Sequence, residues 1–262
     1  NESALPIVSG AMGYFSYDYG RQKEKVKARH PKEVDMPEVI LCFYDNFIIE
    51  DHQEKRFYLV ANDQTEEVDT LLDDVENMAA EMYTLWKNGQ IPEAKDDHSA
   101  IKVMPNFTKE AYKQAVKDMM DYIVEGDIYI ANMTQHLTVE SRRAPYDVFC
   151  SLRRDNPSPF GGYLNYEDLQ IVSASPERFL QMRGGVVATR PIKGTRKRGA
   201  TKEEDAVMRK ELEESDKDKS EILMIVDLER NDLNRVCIPG SVKVTEMYSI
   251  ETYATVFHLV SE

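Results

Sequence analysis

The sequence predicts an α+β fold built on antiparallel sheets. Strand-like runs come in groups, helix-like runs come in groups, and the strict strand–helix alternation of a parallel sheet is missing. The short apolar runs are separated by polar or glycine turns, as hairpins require.

Residues 5–60 read as strands, "IVSGAMGYFSYDYG" and then "EVILCFYDNFIIE", with a polar turn at "DHQEKR" before "FYLVAND". A helix follows over 63–88, with Val68, Leu71, Leu72, Val75, Met78, Met82 and Leu85 at helical spacing. Asp63 and Glu66 have capping-box spacing, and Gly89 ends the helix. Residues 91–106 hold two prolines and no period, and are read as a linker between 1–90 and 107–262.

Thr108 caps a helix that runs to Glu125 and stops at Gly126. "DIYIANMTQHLTV" is expected to be a strand, and Pro145 to Arg154 a short helix. A β-meander then reads through "FGGYLNY", "LQIVSAS", "RFLQMR" and "VVATR", with a Gly184-Gly185 turn before its last strand. Thr201 and Glu204 form a capping box for helical sequence continuing to about Asn231. "SVKVTEMYSI" is the expected final strand.

With 262 residues, 42% hydrophobic and 31% charged, the composition is that of a soluble globular chain. No apolar run approaches the roughly 18 residues of a membrane span, and no signal peptide opens the sequence. The thiols Cys42, Cys150 and Cys237 are far apart and lack C-x-x-C spacing, which argues for a reducing, cytoplasmic setting without disulfide or zinc. A net charge of −14 argues against a nucleic-acid partner.

Against that acidity, "TRPIKGTRKRG" gathers Arg190, Lys193, Arg196, Lys197 and Arg198 with no acid among them. Neighbouring cations are expected to lower the pKa of Lys193, which would make it a nucleophile or a base. The structural alternative is an exposed basic turn. Glu177 in "SASPERF" can reach the same sheet edge through the meander and would be a general acid if buried; its alternative is a salt bridge to Arg178 or a cap. Asp218 and Glu221 lie three apart on a predicted helix, so both carboxylates share a face that would suit Mg²⁺. Charge-rich helices are also commonly just solvated. His258 lies among apolar residues, where a satisfied core histidine is the plain alternative to a catalyst.

Taken in order, "SASPERF", "TRPIKGTRKRG", "KDKSEILMIVDLERNDLNRV" and "FHLVSE" resemble the chorismate-utilising enzymes. "GYFSYDYGR", "GDIYIANMTQ" and "NPSPFGGY" extend the resemblance over nearly the whole chain. The family includes the large subunits of anthranilate synthase and aminodeoxychorismate synthase, and the isochorismate synthases. The resemblance implies a two-lobed sandwich of antiparallel sheets with outer helices, incomplete at both ends in this chain. Residues 1–90 would be the C-terminal part of the N-terminal lobe, and 107–262 the first part of the chorismate-binding domain.

The resemblance also assigns roles. The lysine of "PIKGT" resembles the covalent nucleophile of members that make aminodeoxychorismate, for 4-aminobenzoate and folate synthesis; anthranilate synthases usually carry alanine there. Lys193 would then be nucleophile, Glu177 the general acid/base, and His258 a catalytic-site histidine. Gly194 and Thr195 would contact the ring carboxylate, with the basic segment helping to hold the dicarboxylate chorismate. Glu221 would bind Mg²⁺, with Asp218 a second or water-mediated ligand. Ammonia would come from a glutamine amidotransferase subunit. Asn156, Pro157, Ser158, Pro159 and Phe160 resemble a segment lining a tryptophan pocket. Ile130 stands where the family has glutamine, or the water-activating lysine of isochorismate synthases, which argues against hydrolytic isochorismate chemistry. These residues alone are expected to be inactive. The alternatives are anthranilate synthase component I and a non-catalytic module binding tryptophan or an amidotransferase.

Overall fold

The computed structural model describes residues 5–28, 34–62, 66–90 and 101–262. Most of the expected linker and the expected cap Asp63 therefore lie outside the described residues. The chain divides into two compact units, Asn1–Glu93 with Leu164–Gln170, and Ala94–Tyr163 with Ile171–Glu262. All paired strands whose registers are resolved are antiparallel, giving the mixed α+β class that the grouping of elements predicts.

In the first unit, β1 (Ala11–Phe15) precedes the short α1 (Tyr19–Glu24) and pairs with β2 (Val39–Phe43) from Ala11↔Phe43 to Phe15↔Val39. β3 (Asn46–Asp51) and β4 (Arg56–Ala61) form the expected hairpin. Asp51 Oδ1 closes its turn by accepting from the amides of Gln53 and Glu54, both at 2.9 Å. "EVILCFYDNFIIE" is two strands, because the chain changes sheet at Tyr44-Asp45. α2 (Val68–Lys87) buries Leu71 and Val75 and packs on β3 and β4, where Phe47 is buried.

In the second unit, α3 (Lys109–Glu125) follows β5 (Val103–Pro105) and starts and stops where its local signals put it. Thr108 Oγ1 accepts from Ala111 N at 3.1 Å, and Gly126 ends the helix at φ 83°, a left-handed conformation that costs glycine no Cβ clash. The expected strand over "DIYIANMTQHLTV" shrinks to β6 (Leu137–Val139), which pairs with β5. Among the described residues no strand lies beside 127–136, and an extended run without a ladder partner is not held as sheet.

α4 (Pro145–Asp155) is the predicted short helix. The meander resolves into two hairpins, β7 (Phe160–Asn165) with β8 (Gln170–Ser175), and β9 (Arg178–Arg183) with β10 (Val186–Arg190). The basic segment is a strand: β11 (Ile192–Lys197) pairs with β13 (Val256–Val260), which also pairs with β12 (Ser249–Thr252). Only the end of "SVKVTEMYSI" is strand, and β13 was not foreseen. The long predicted helix is two, α5 (Lys202–Glu213) and α6 (Asp216–Asn234). Ser215 starts α6 by accepting from Asp218 N at 3.3 Å, so the break is a local capping event.

α5 and α6 cover the β11–β13–β12 sheet. Leu212, Ile222, Val226, Phe257 and Leu259 form the core between them, with Met208, Met247, Tyr248 and Ile250 packed around it. Each fully buried Leu or Ile contributes about 2 kcal/mol by removal from water, and this layer is what fixes β11 in place.

Candidate active site

The site is organised around an irregularity in β11. Its register with β13 steps from Lys193↔Leu259 to Thr195↔His258, leaving Gly194 as the extra residue of a bulge at φ 80°. Such bulges bend a strand and re-aim its side chains. A Cβ on Gly194 would lie 2.9 Å from Asp218 Cβ, Asp218 Cγ and Leu212 Cδ1. Glycine is therefore required twice, by the backbone and by the helices seated against it.

Next to the bulge, Thr195 Oγ1 and His258 Nδ1 are 3.0 Å apart. Burial pushes the His258 pKa down, against opposing pulls from the Gly194 backbone, Glu251 and Glu177. The edge of the Tyr253 ring meets the imidazole at 5.4 Å between centroids. The Tyr253 hydroxyl donates to Glu251, and burial together with that carboxylate pushes the phenol up to about 12. His258 is thus a neutral ring held by a hydroxyl, an arrangement able to exchange a proton.

Glu177 sits in the turn between β8 and β9, and its Oε1 accepts from Ile192 N at 3.2 Å, tying that turn to the start of β11. Glu229 of α6 is half-buried, and its carboxyl feels the charges of both Glu177 and Lys193. Burial first, and Glu177 second, raise the Glu229 pKa above the ordinary carboxylate value. Glu229 was not foreseen in the sequence. Its signal is positional: Asp218, Ile222 and Val226 are buried on α6, and Glu229 stands where that stripe would continue.

Three of the five cations have a different purpose from the one expected. Arg190 reaches Glu246 at 2.5 Å, Glu262 at 2.6 Å and Glu251 at 2.8 Å. Arg196 reaches Glu211 at 2.8 Å and Asp218 at 3.0 Å. Arg198 forks onto Asp205 at 2.7 and 2.6 Å. Carboxylates from distant parts of the chain balance these three charges, which therefore bind the fold together. The notion of a basic surface for a dicarboxylate therefore loses these three arginines.

The same pairing bears on magnesium. Asp218 is a buried carboxylate, 8% exposed and bound to Arg196, and does not fit as a free oxygen donor. Glu221 is more open: its side chain is 42% exposed, and its pairing with Lys217 at 3.5 Å is at the surface, where the lysine is 81% exposed and can give way to a cation. Among the described residues no group of three acidic, histidine or cysteine side chains could hold a metal ion.

Asn156 Oδ1 accepts from Thr255 Oγ1 at 2.8 Å, which fastens "NPSPF" to the β12–β13 turn. Pro159 and Phe160 line a cavity of about 110 Å³ with Arg178, Arg190, Glu251 and Tyr253. Among the described residues no helix is long and apolar enough to cross a membrane.

A family model described as chorismate binding enzyme matches residues 1–262. Aminodeoxychorismate synthase component 1 of Bacillus subtilis is 36% identical over 256 residues, 96% of this chain and 53% of that protein. Anthranilate synthase component 1 of Acetivibrio thermocellus is 34% identical over 260 residues, 96% and 53% respectively. The crystal structure of anthranilate synthase component I from Streptococcus pneumoniae superposes with a TM-score of 0.81 at 25% identity, covering 100% of this chain and 58% of that one. The chain spans about half the length of the curated relatives it matches.

Proposed function

This chain belongs to the chorismate binding enzymes, and we propose that it carries the chemistry of an aminodeoxychorismate synthase large subunit. The product would be 4-amino-4-deoxychorismate, for 4-aminobenzoate and folate synthesis, made in the cytoplasm with ammonia from a glutamine amidotransferase subunit. The carrying observation is Lys193 at the β11 bulge, next to the Thr195–His258 contact. The 36% identity to a relative of that name supports the reading.

In this mechanism the Lys193 amine adds to ring carbon 2, the double bond shifts, and the 4-hydroxyl departs with a proton from Glu177. Ammonia then adds at carbon 4, the double bond shifts back, and the C–N bond to Lys193 breaks with its electron pair returning to nitrogen. Glu177 takes the surplus proton from the new ammonium group. Covalent capture divides one difficult displacement into two easier steps. His258 stays neutral beside the departing group, and Thr195 orients it. Mg²⁺ would neutralise the ring carboxylate; Glu221 is the side chain here that would offer it an oxygen.

A second reading is anthranilate synthase component I, favoured by the 0.81 TM-score to that enzyme. The complete gene product with chorismate, Mg²⁺ and ammonium, its products weighed by mass spectrometry, separates the two. An amino product retaining the enolpyruvyl carbons, lost in Lys193→Ala, supports the first. Anthranilate plus pyruvate supports the second. Unchanged chorismate would favour a non-catalytic binding module.

A further inference from the structure

His258 stands outside the layer that fixes its strand. Phe257 and Leu259 on either side of it are buried in the core beneath α5 and α6, whereas His258 is half-buried and its ring is held by other neighbours. In the register of the three-stranded sheet, His258 is paired with Thr195 on one side and Glu251 on the other, so the three side chains share a face. Thr195 fixes one ring nitrogen, with Oγ1 3.0 Å from Nδ1. A single hydrogen bond leaves the imidazole free to swing about it. The second hold comes from Tyr253, whose ring centroid is 5.4 Å from that of the imidazole, with the two planes 63° apart. Such an edge-to-face contact sets the tilt of one ring against the other.

Tyr253 is itself held at both ends. Its amide donates to Val256 O at 2.9 Å, closing the turn between β12 and β13, and its carbonyl accepts from Arg198 Nη1 at 2.8 Å. Arg198 is in turn forked onto Asp205 of α5. At the far end of the side chain, the hydroxyl donates to Glu251, whose other oxygen accepts from Arg190 Nε at 2.8 Å. Arg190 also gathers Glu246 and Glu262. Backbone bonds at one end and the Arg190 node at the other therefore leave the ring against His258 little freedom.

We propose that Tyr253 is a positioning residue for His258, holding the imidazole so that Nδ1 stays with Thr195 and Nε2 is presented to the departing hydroxyl. The inference rests on the reading of His258 as a catalytic-site histidine given above. Proton exchange needs a heavy-atom separation of about 2.6–3.2 Å, so a small rotation of the ring about its Thr195 bond would carry Nε2 out of reach. Tyr253 acts through His258 rather than on the substrate, and what it supplies is that angle. Tyr253 and His258 stand at no helical or strand spacing from one another, and only the turn between β12 and β13 brings their rings together.

The test uses the complete gene product. Tyr253→Leu removes the ring, and Tyr253→Phe keeps it without the hydroxyl; Tyr253→Met takes the place of Tyr253→Leu if that variant does not fold. Ammonia-dependent chorismate turnover is measured for each. His258 is also modified with diethyl pyrocarbonate at one fixed pH and followed by peptide mass spectrometry, with the exposed His52 as internal reference. In Tyr253→Leu kcat is expected to fall on the order of 100-fold, as about 1 Å of misplacement produces, with KM for chorismate changed less than about threefold. The loosened His258 is expected to react several-fold faster relative to His52. Tyr253→Phe should keep most of the turnover and the slow modification, because the ring remains. Unchanged kcat or an unchanged modification rate in Tyr253→Leu would overturn the proposal. So would a Tyr253→Phe variant as impaired as Tyr253→Leu, since the hydroxyl and not the ring would then be what matters. Normal turnover by His258→Gln would instead overturn the role of His258 in the reaction, which is a failure of the reading beneath the proposal.

Discussion

Arg196 Nη2 lies 3.0 Å from Asp218 Oδ2, and this ion pair is buried at its acidic end, where the Asp218 side chain is 8% exposed. The same guanidinium reaches Glu211 of α5 at 2.8 Å. One residue of β11 therefore fastens both helices over the sheet. Two charges so placed give little net stability against an apolar pair of equal size, but losing one of them strands the other away from water.

Removing only one partner should accordingly be severe. Arg196→Met, which leaves the Asp218 carboxylate buried without its partner, is expected to destabilise the chain by about 3 kcal/mol, read as a lower urea midpoint at unchanged slope. Arg196→Met with Asp218→Leu should recover most of that loss. Equal stability of Arg196→Met and the unaltered chain would contradict a buried pair.

Gly194→Ala tests the bulge. A left-handed backbone costs a residue with a Cβ about 1–2 kcal/mol, and a Cβ 2.9 Å from Asp218 and Leu212 adds overpacking of about 1–3 kcal/mol. The variant should lose about 2–5 kcal/mol in chemical denaturation. Thr195→Ala, which removes only a hydroxyl near His258, should lose far less.

The Arg190 node predicts a pH-dependent variant. Hydrogen bonds from Ser249 and from Arg190 hold the Glu246 carboxyl below its usual value. For a depressed carboxyl the stabilisation is present above the unfolded pKa, near 4.3, and is lost as pH falls through the folded value. Arg190→Met should therefore lower the thermal midpoint clearly at pH 7, where Glu246, Glu251 and Glu262 would face one another unbalanced. Near pH 3.5 the difference from the unaltered chain should shrink. A constant difference across that range would exclude the three-carboxylate node as its source.

His258 predicts a second pH effect. Burial lowers its folded pKa, whereas the unfolded chain binds the proton near pH 6.5. Between those values the unfolded state holds more protons, so stability falls as pH is lowered from about 7.5 through 6.5. Denaturation midpoints at pH 7.5, 6.5 and 5.5 should decline, and His258→Gln should flatten the decline.

Elements defined by near neighbours were legible. Thr108, Gly126 and the Thr201–Glu204 box mark true helix ends, since each cap reaches only three or four residues along the chain. Ser215 was legible in principle, because its hydroxyl caps Asp218 N in the same way, but unbroken helical periodicity hid it. Residues 192–197 were not foreseen as a strand, because their charges resemble a solvated loop. What makes them a strand is β13, more than sixty residues later. The converse failure is 127–136, which has strand composition but no neighbouring strand among the described residues.

The identity and spacing of Lys193, Glu177, Glu221 and His258 were in the sequence, and so was the family, because ordered motifs over the whole chain carry it. Only the tertiary structure decided what their neighbours do. Arg196 meets an acid 22 residues away, Thr195 a histidine 63 away, and Arg190 a glutamate 72 away. Caps and periodicity depend on bonds within one helical turn, which a sequence displays directly. Ion pairs and the Gly194 bulge depend on the path of the folded chain, and that path is set by the apolar layer between α5, α6 and the β11–β13–β12 sheet.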